Sequence, residues 1–388
     1  PEPSGAIEWP DDRVALLGQL IGDGSYLAGQ PLRYATASEE NSALVTQSAE
    51  RFGNTVKRYR GRGTWHQLLL SGNGSRWHPA GVNKWLRDLG VFGQRSHEKR
   101  VPEEAFRLGN QQIAILLRHL WATDGCIFVR GRKESGPPAV YFATASIGLA
   151  HDVAALLLRL GIVSRIRTVT PSMGRPWHTV SVSGSDQQRM FMAEVGAYGP
   201  REEQASRLTA YLASTRSNTN VDTLPRETFD RVRALMAGRG VSTRRMATLR
   251  GTSYGGSAHF RFAPSRASVA EYAEILDDDA LRNQARSDLF WDRVVRVVSE
   301  GEEDVYDLTV PGPASWLADA VVSHNSGAIE QDSDIVMFIH RDPLSEDMQA
   351  KGTAEVIVAK HRNGPTGTVR LAFMNQYTKF ASLAKGIN

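Results

Sequence analysis

Two aspartates occur at equivalent points of a repeated pattern and could hold divalent metal ions. Residues 16–24 read Leu-Leu-Gly-Gln-Leu-Ile-Gly-Asp-Gly, and residues 117–125 read Leu-Arg-His-Leu-Trp-Ala-Thr-Asp-Gly, so each apolar stretch ends in Asp-Gly. The acids are Asp23 and Asp124, and hard cations such as Mg²⁺ prefer carboxylate oxygens. One Asp-Gly alone indicates only the end of a helix. Because the pattern recurs, we predict that the two carboxylates form equivalent metal-binding positions.

Further marks recur in the same order and indicate a duplicated unit. Ala-Thr-Ala-Ser stands at residues 35–38 and again at 143–146, and Trp-His stands at 65–66 and again at 177–178. The distance between partners rises only from 101 residues for the Asp-Gly segments to 112 residues for Trp-His. We therefore predict a unit of about one hundred residues that is present twice.

The coarse pattern inside each unit predicts an α+β fold with pseudo-two-fold symmetry. An apolar helix is followed by strands rich in aromatic and β-branched residues, then by an amphipathic helix and a further pair of strands. We expect the basic side chains of these strands to share one face. The two units are assigned to residues 13–110 and 111–215, with residues 1–12 as a linker.

Positive charge is concentrated in two stretches that lack acidic residues, although the formal net charge is only +4. One stretch lies between Glu50 and Asp88, and the other lies between Asp230 and Glu271. Such tracts bind phosphate by releasing counterions, and the alternative is a solvated basic surface without a ligand. The basic residues expected to contact DNA are Lys57, Arg58, Arg60 and Arg62 in the first stretch, and Arg244, Arg245 and Arg250 in the second.

The paired motifs resemble those of the LAGLIDADG, or dodecapeptide, homing endonucleases, a class often embedded in inteins. The resemblance implies that two helices pack at the pseudo-symmetry axis, and that Asp23 and Asp124 bind Mg²⁺ over the scissile phosphates of double-stranded DNA. Lys99, in the segment His-Glu-Lys-Arg-Val-Pro, resembles the basic residue that precedes the second helix in this family. Its implied role is to stabilise charge at the phosphate or to orient water. A solvated lysine is the alternative.

Small residues predict how the two helices approach each other. Gly18 and Gly22 lie four residues apart on one helical face, which allows two backbones to come close. The second copy carries His119 and Thr123 at the corresponding positions. We therefore expect the contact to be wider on that side or locally asymmetric.

Residues 216–290 fall outside the repeat and contain the second basic stretch. Residues 225–236 predict a short helix, and residues 241–247 predict a second helix that begins with a Ser or Thr cap. This small helical region could form a helix-turn-helix-like DNA contact through Arg244, Arg245 and Arg250. A linker domain that spaces the endonuclease from the following strands is the alternative.

The segment His324-Asn325-Ser326 carries residues that could break a peptide bond. The Asn325 side-chain amide can attack its own main-chain carbonyl, which forms a succinimide and releases Ser326. His324 is placed to move the proton. The Ser326 hydroxyl could accept an acyl group from an upstream junction. The tripeptide alone would far more often be a polar loop, and its flanks decide between the two interpretations.

Those flanks resemble the last two splicing blocks of inteins. Residues 303–310 and 315–322 read as two short strands around a Pro-Gly turn. By the resemblance, Asp307 matches the acidic residue of the block, whereas Ala314 stands where many inteins have a further histidine. We assign residues 291–325 to a partial all-β splicing (Hint) segment.

Residues 326–388 resemble the C-terminal end of the DnaB-type replicative DNA helicases, which have a RecA-like ATPase fold. Lys360 and Arg362 match the Lys-x-Arg-x-Gly hairpin of that family. The resemblance implies that these two residues reach ATP bound by a neighbouring subunit of a hexameric helicase ring. The chain contains no Gly-x-x-x-x-Gly-Lys-Ser/Thr phosphate loop. Helicase activity and ATP binding are therefore expected only of a complete host protein.

Composition limits the remaining possibilities. The chain has 388 residues, 41% of them apolar, which is enough for two or three domains with cores. It has no apolar run long enough to span a membrane and no charged-then-apolar leader. A single cysteine, Cys126, excludes an internal disulfide and fits a reducing cytosol. For a DNA-acting protein of the families that this chain resembles, the expected location is the bacterial cytoplasm, in association with the nucleoid. Because the chain begins at Pro1, we expect it to be a piece of a longer product that also contains N-terminal intein and helicase segments.

Three functions are compared. The first is a site-specific double-strand DNA endonuclease inside an intein, joined to the end of a replicative helicase. The second is a DNA-binding remnant that recognises its site without cutting. The third is an ATP-dependent helicase, which we expect only in the complete spliced protein.

Overall fold

A computed structural model describes most of the chain. The described residues are 6–75, 77–130, 136–215, 222–299, 301–302, 310, 315–318, 321–324, 335–340, 353–361, 364–374 and 379–382. They form two compact units, Pro1–Arg296 and Val297–Asn388, which are considered separately. None of the described helices is both long and apolar enough to cross a membrane.

The first unit contains helices, short strands and three 3-10 turns. Its helices are α1 (Asp11–Asp23), α2 (Glu39–Arg51), α3 (Gly81–Asp88), α4 (Asn110–Asp124), α5 (Ile147–Arg159), α6 (Ser185–Glu194), α7 (Glu202–Ala213), α8 (Thr228–Gly238), α9 (Thr243–Leu249), α10 (Arg266–Ile275) and α11 (Asp279–Arg286). Its strands are β1 (Gly24–Ser25), β2 (Leu32–Thr36), β3 (Thr55–Arg60), β4 (His66–Ser71), β5 (Gly125–Phe128), β6 (Ala139–Thr144), β7 (Arg165–Val169) and β8 (Trp177–Ser181). The 3-10 turns are Glu103–Arg107, Gly199–Arg201 and Gly256–Arg261.

The two halves of the repeat have the same topology. Each begins with a long helix, α1 or α4, and continues through two strands, a helix, two strands and another helix. The sheets have the orders β1-β2-β4-β3 and β5-β6-β8-β7, and all neighbouring strands are antiparallel. The predicted duplicated α+β unit is confirmed.

The repeated Ala-Thr-Ala-Ser segment has a local structural cause. The Ser38 hydroxyl accepts a hydrogen bond from the Asn41 amide at 3.1 Å and caps α2. The Ser146 hydroxyl accepts from the Leu149 amide at 3.1 Å and caps α5 in the same way. A serine cap of this kind stabilises a helix by about 1 kcal/mol. The motif therefore marks the point where a strand turns into the amphipathic helix of each half.

Helices α1 and α4 pack side by side at the centre of one continuous apolar core. Their buried side chains include Leu16, Leu17, Leu20, Leu117, Leu120 and Trp121. The strands alternate as half-buried strands should, with Tyr34 and Leu68 buried in the first sheet and Phe142 and Val180 buried in the second. The core therefore holds the two long helices in a fixed relation to both sheets.

The contact between α1 and α4, here called the helix seam, is asymmetric, as expected. The distance between the two helices is nevertheless small. Gly18 and Gly22 of α1 face His119 and Thr123 of α4, so the larger side chains of one helix occupy the space left by the glycines of the other. A Cβ atom at Gly18 would lie 2.8 Å from the Leu116 carbonyl oxygen, and one at Gly22 would lie 2.5 Å from the Thr123 Cβ. The second copy can therefore depart from small residues without separating the helices.

Replacing Gly22 with alanine should destabilise the protein by about 1–3 kcal/mol, because the added methyl group would overlap Thr123. The double variant Gly22→Ala/Thr123→Gly restores the space from the opposite helix and should recover most of the loss. Gly238→Ala is a matched control, since a Cβ there has no neighbour within 4 Å. Urea unfolding would measure all three, and equal midpoints for Gly22→Ala and wild type would contradict the close seam.

Helices α8 to α11 surround a second apolar cluster. Its buried residues include Leu224, Phe229, Val232, Met246, Tyr272 and Leu281. The predicted cap is confirmed, because the Ser242 hydroxyl accepts a hydrogen bond from the Arg245 amide at the start of α9. Gly240 has a φ of 62° in the turn that joins α8 to α9. This region therefore folds around contacts of its own.

The second unit contains strands in its described residues. They are β9 (Ser315–Ala318), β10 (Val321–His324), β11 (Ile335–His340), β12 (Thr353–His361), β13 (Gly367–Met374) and β14 (Lys379–Ser382). Strands β9 and β10 form an antiparallel pair, and the other four form an antiparallel sheet in the order β11-β12-β13-β14. Strands β12 and β13, which flank the Lys-x-Arg-x-Gly segment, pair in antiparallel fashion, whereas Arg362 and Asn363 between them lie outside the described residues.

One expectation for this unit needs correction. The single strand predicted over residues 315–322 is a pair of strands, because Ala318 pairs with Val321 and the chain reverses between them. Strand β11 leaves Ile335, Met337 and Ile339 exposed on one face. Their alternate spacing places them on the same side of the strand, and no described helix of this unit packs there.

Candidate active site

The two predicted acids are the last residues of the two central helices. Asp23 ends α1 and Asp124 ends α4, and each is followed by a glycine with extended backbone that begins a strand. A Cβ at Gly24 would lie 2.8 Å from the Leu20 Cα, and one at Gly125 would lie 2.5 Å from the Trp121 Cα. Glycine is therefore needed where the chain leaves each helix and enters the following strand.

The two carboxylates share one electrostatic environment. Burial and, to a smaller extent, the charge of Asp124 raise the pKa of Asp23 to about 7, against the opposing charges of Lys99 and Arg201. Asp124 is partly exposed, but the loss of hydration on its protein side raises its pKa as well. The charges of Lys99 and Arg201 oppose this rise too. The structure thus brings Asp23, Asp124 and Lys99 together, as the sequence predicted.

Lys99 is a buried residue of this site. Its side chain is 8% exposed, and its Nζ donates hydrogen bonds to the carbonyl oxygens of Gly22 at 2.6 Å and Gly24 at 3.0 Å. Burial lowers the pKa of Lys99 to about 8, although Asp124 and Asp23 oppose that shift. A solvated lysine does not match these contacts. Lys99 instead holds a positive charge at the carbonyl end of α1.

Arg201 makes the corresponding contact at the end of α4, and sequence reasoning missed it. Its Nη2 donates to the Thr123 carbonyl oxygen at 2.9 Å and its Nε donates to the Trp121 carbonyl oxygen at 3.3 Å. Arg201 follows Lys99 by 102 residues, which lies within the spacing of the repeat. A search for cations at that spacing would have found it.

A buried polar network fixes the seam behind the acids. The Tyr34 hydroxyl donates to Gln19 Oε1 at 2.5 Å, and Gln19 Nε2 donates to Asn41 Oδ1 at 3.3 Å and lies 3.2 Å from His119 Nδ1. Burial lowers the pKa of His119 to about 4, so the imidazole is neutral near pH 7 and its Nδ1 can accept this bond. The network also includes a bond from Asn41 Nδ2 to the Ala122 carbonyl oxygen. The helices are thereby held in register without a buried charge.

The oxygen atoms at the two helix ends could supply some, but not all, of the ligands of a hard divalent cation. Within the described ranges, no three His, Cys, Asp or Glu side chains gather closely enough to form a complete metal cage. Asp23 and Asp124 supply carboxylate oxygens whose raised pKa values reflect burial and, for Asp23, repulsion that a cation would relieve. A cation here would need further oxygen ligands, and phosphate and water are the usual ones for Mg²⁺.

The strand register separates the predicted basic residues of the first sheet. Lys57 pairs with Leu69, whereas Arg58 pairs with Leu68 and Arg60 pairs with His66. Leu68 and His66 are buried, so Arg58 and Arg60 belong to the core side of the sheet and Lys57 belongs to the open side. The expectation that the strand cations share one face is therefore wrong, because consecutive cations on a strand alternate between faces.

The side chains of the first basic stretch also differ in their partners. Arg58 donates two hydrogen bonds to the Glu39 carboxylate, both at 2.6 Å, and its Nη2 lies 3.1 Å from His66 Nδ1. Lys57, Arg60 and Arg62 are exposed. Among these four cations, Lys57 alone is a strand residue on the open face.

The second sheet supplies basic residues that sequence reasoning missed. Arg165 pairs with Ser181 and Arg167 pairs with Thr179, on the face opposite to buried Val180. Both arginines are exposed. Arg165 on β7 stands where Lys57 stands on β3. The shared strand order would have predicted this match once β7 had been aligned with β3.

The predicted contacts of the second basic stretch divide in a similar way. Arg244 and Arg245 are exposed on α9. Arg250 is 7% exposed at its side chain, pairs with Glu271 at 2.7 Å, and donates to the Tyr272 hydroxyl at 3.1 Å. The expectation that Arg250 reaches DNA is replaced by a structural role, because its guanidinium is occupied inside the helical region.

The remaining predicted site residues lie in the second unit. His324 ends β10 and Lys360 lies in β12, but the description of these two positions is limited to the backbone. Asp307, Asn325, Ser326 and Arg362 fall outside the described residues. Their splicing and nucleotide-binding roles stay predictions.

Two family models match parts of the chain. Residues 111–196 match the model described as LAGLIDADG-like domain, and residues 319–382 match the model described as DnaB-like helicase C terminal domain. The first of these ranges contains Asp124 and the second sheet. The second contains β10 to β14.

Individual proteins are similar over different lengths. A replicative DNA helicase DnaB of Rhodothermus marinus is 43% identical over 386 residues, which is 95% of this chain and 40% of that protein. A replicative DNA helicase DnaB of Pasteurella multocida is 54% identical over only 61 residues, which is 16% of this chain and 13% of that protein. The chain thus spans less than half the length of these curated relatives. A crystal structure of I-DmoI in complex with DNA and Ca is 16% identical, with a TM-score of 0.35, and covers 52% of this chain and 97% of that one.

Proposed function

We propose that this chain, which joins a LAGLIDADG-like domain to a DnaB-like helicase C-terminal segment, is an intein-embedded, site-specific double-strand DNA endonuclease. The domain limits predicted from the sequence are kept as part of the proposal. One observation carries it: the last residues of two packed helices, Asp23 and Asp124, share a site with Lys99 and Arg201. Two acids at one seam suit the hydrolysis of two phosphodiester bonds.

The acids and cations have separate roles in this proposal. Asp23 and Asp124 would hold divalent cations, Mg²⁺ in the cell, and the metal would supply Lewis-acid activation of phosphate and water. Lys99 and Arg201 each contact the carbonyl end of one central helix. From there they oppose the rise in the pKa of both carboxylates and stabilise the negative charge that develops on the phosphate. Because the seam network is neutral and rigid, the two helix ends stay in position during the reaction.

The open faces of both sheets are proposed to bind the DNA duplex. Lys57 and Arg165 stand at matching positions of the two halves, and Arg167 lies two residues further along β7. These cations would contact phosphates and fix the register of the duplex over the two acids. Arg60 and Arg62 would contribute from the edge of the first sheet. Arg58 would act through its pairing with Glu39.

The dependence of cleavage on pH tests the two shifted groups. At limiting Mg²⁺, cleavage should rise as Asp23 loses its proton near pH 7 and should fall as Lys99 loses its charge near pH 8. More Mg²⁺ should move the acidic limb to lower pH, because the metal competes with the proton for Asp23. Lys99→Arg should extend the alkaline limb, since a guanidinium stays charged there. An unchanged profile in Lys99→Arg would contradict the role of Lys99.

The intein part of the proposal draws on the comparisons and on the junction chemistry. One DnaB relative matches 95% of the chain, whereas another matches only 61 residues, as an insertion carried by some helicases would produce. In the proposal, Asn325 cyclises with help from His324 and Asp307, and Ser326 accepts the upstream host segment. Ala314 removes one assisting histidine of the family pattern. Excision would join the helicase segments in the bacterial cytoplasm.

The helicase part of the proposal concerns the spliced host. Lys360 and Arg362 would then reach ATP held by the next subunit of a hexameric ring and stabilise charge on its γ-phosphate. Strand β12 carries Lys360, and Arg362 follows just beyond it. ATP binding is proposed for the complete host alone.

A plasmid that carries the host coding sequence without the insertion tests the endonuclease directly. With Mg²⁺ we expect a specific double-strand break in that plasmid and none in a plasmid with the same sequence scrambled. Specific binding without nicking would favour the DNA-binding remnant. Hydrolysis of ATP by this chain alone would favour the helicase alternative.

A further inference from the structure

Helices α8 to α11 separate their charges into two regions. At the corner between α10 and α11, Arg282 pairs with Glu274 at 3.0 Å and with Asp277 at 3.2 Å, and it also pairs with Asp279. Acidic side chains are therefore gathered at that corner around a single arginine. The first turn of α9 contains no acidic residue.

Several arginines of the acid-free stretch and its flanks form ion pairs inside this region with carboxylates that are distant in sequence. Arg231 pairs with Asp278 at 2.8 Å, Arg250 pairs with Glu271 at 2.7 Å, and Arg266 pairs with Asp222 at 2.7 Å. Arg231 lowers the pKa of Asp278 to about 2 through their hydrogen bonds. These three pairs join residues far apart in sequence. They belong to the framework of the region.

Three of the cations left over are found on and near α9. Arg244, Arg245 and Arg261 are exposed, and none of them has a carboxylate partner in the described part of the chain. Helix α9 packs against the turn Gly256–Arg261, so the three arginines lie on adjoining elements. Their charges are not balanced locally, and a polyanion would be attracted to them.

Exposed aromatic side chains accompany these cations. Tyr254 is 51% exposed, and the Arg244 guanidinium lies 5.3 Å from the centre of its ring. Phe262, next to Arg261, is 75% exposed. This contact restricts the Arg244 side chain and reduces the entropy lost when a phosphate binds. Cations interleaved with exposed aromatics are typical of nucleic-acid surfaces.

We propose that Arg244, Arg245, Tyr254, Arg261 and Phe262 form a second DNA-binding surface. This surface binds the phosphate backbone of the duplex outside the segment covered by the two sheets. The inference rests on the proposed endonuclease function. A duplex is the matching occupant because the proposed active site already holds one, and a longer contact on the same molecule raises affinity by linkage. A region with its own core and an unpaired cationic surface also exceeds what a simple spacer needs.

Binding to two labelled duplexes tests the surface. The long duplex carries the continuous host coding sequence with flanks on both sides, and the short duplex is trimmed to the cleavage site. For the full chain, Arg244→Ala/Arg245→Ala should weaken binding to the long duplex by about tenfold or more and lower the salt slope by about two. Binding to the short duplex should change little. A purely structural defect would not change the salt slope selectively.

Arg51→Ala/Arg207→Ala is the matched control, because it removes two exposed arginines from helices α2 and α7. It should bind both duplexes as wild type does. Equal thermal midpoints would show that both double variants are folded.

The outcomes separate the two claims. If wild type binds the long duplex and Arg244→Ala/Arg245→Ala binds it equally with the same salt slope, the second surface is overturned and the endonuclease stands. If the two arginines matter for a single-stranded RNA or an acidic peptide but not for the duplex, the surface has a different partner and the inference fails. If wild type prefers neither duplex over a scrambled one, the proposed function fails as well.

Discussion

Asp23→Asn or Asp124→Asn should abolish double-strand cutting while the protein still binds its DNA. Each change removes a charged oxygen ligand from one of the two helix ends, and the loss should be at least about a thousandfold in cleavage rate. Binding should be retained or strengthened, because a negative charge that faces phosphate is removed. Time courses of linear plasmid formation, together with a binding assay at the same salt concentration, would measure both effects.

The same variants should not weaken the fold. Burial raises the pKa of Asp23 above its ordinary value, so the folded state binds a proton more tightly than the unfolded state does. The Asp23 carboxyl therefore lowers the free energy of unfolding as the pH rises from about 4 through about 7. Asp23→Asn should remove that decrease in stability. Asp12→Asn, at the other end of α1, is the matched control and should cut normally. Low stability and low activity together in Asp23→Asn would indicate a structural role.

Asn325→Ala should leave the bond to Ser326 intact in the full-length precursor. Alanine has no side-chain amide, so the succinimide that breaks this bond cannot form. His324→Ala should slow the same break by about a hundredfold, because proton transfer contributes about that much. Mass spectrometry of the precursor after expression would follow the fragment that begins at Ser326.

Ser326→Ala distinguishes cyclisation from ligation. It removes the hydroxyl that accepts the upstream segment but keeps the Asn325 amide. The break after Asn325 should persist while the joined host product is lost. A fragment beginning at residue 326 in the Asn325→Ala precursor would contradict the cyclisation mechanism.

The parts of the fold that recur in sequence were the parts that could be predicted. Asp-Gly, Ala-Thr-Ala-Ser and Trp-His mark a helix end, a helix cap and a strand start, and each has the same local cause in both halves. Local causes of this kind are visible in a sequence because they involve neighbouring residues. The seam at Gly18 and Gly22 was predicted for the same reason, since residues four apart share a helical face.

The faces on which strand residues lie, and the partners of residues distant in sequence, could not be predicted from local patterns. Arg58 and Lys57 are neighbours in sequence but lie on opposite faces, and only the pairing of β3 with β4 reveals it. Arg250 looked unpaired until Glu271 was brought beside it. Arg201 reaches α4 from a short turn whose path is set by tertiary packing. These interactions join residues that no local pattern connects.

The residues beyond Arg296 illustrate a different limit. The predicted strand over 315–322 contains enough β-branched and apolar residues to suit either one strand or a tight pair. Alternation in β11 indicates which side chains share a face but not what covers that face. A pattern fixes the period of an element, whereas its partners depend on the rest of the protein.

Strand-resolved cleavage tests the central claim most directly. The continuous host sequence is labelled on one strand at a time and incubated with Mg²⁺ and either wild type or the double variant Asp23→Asn/Asp124→Asn. We predict one break in each strand at nearby positions for wild type, in equal amounts, and no break in either strand for the double variant. Cutting of both strands by the double variant at the wild-type rate would contradict the account.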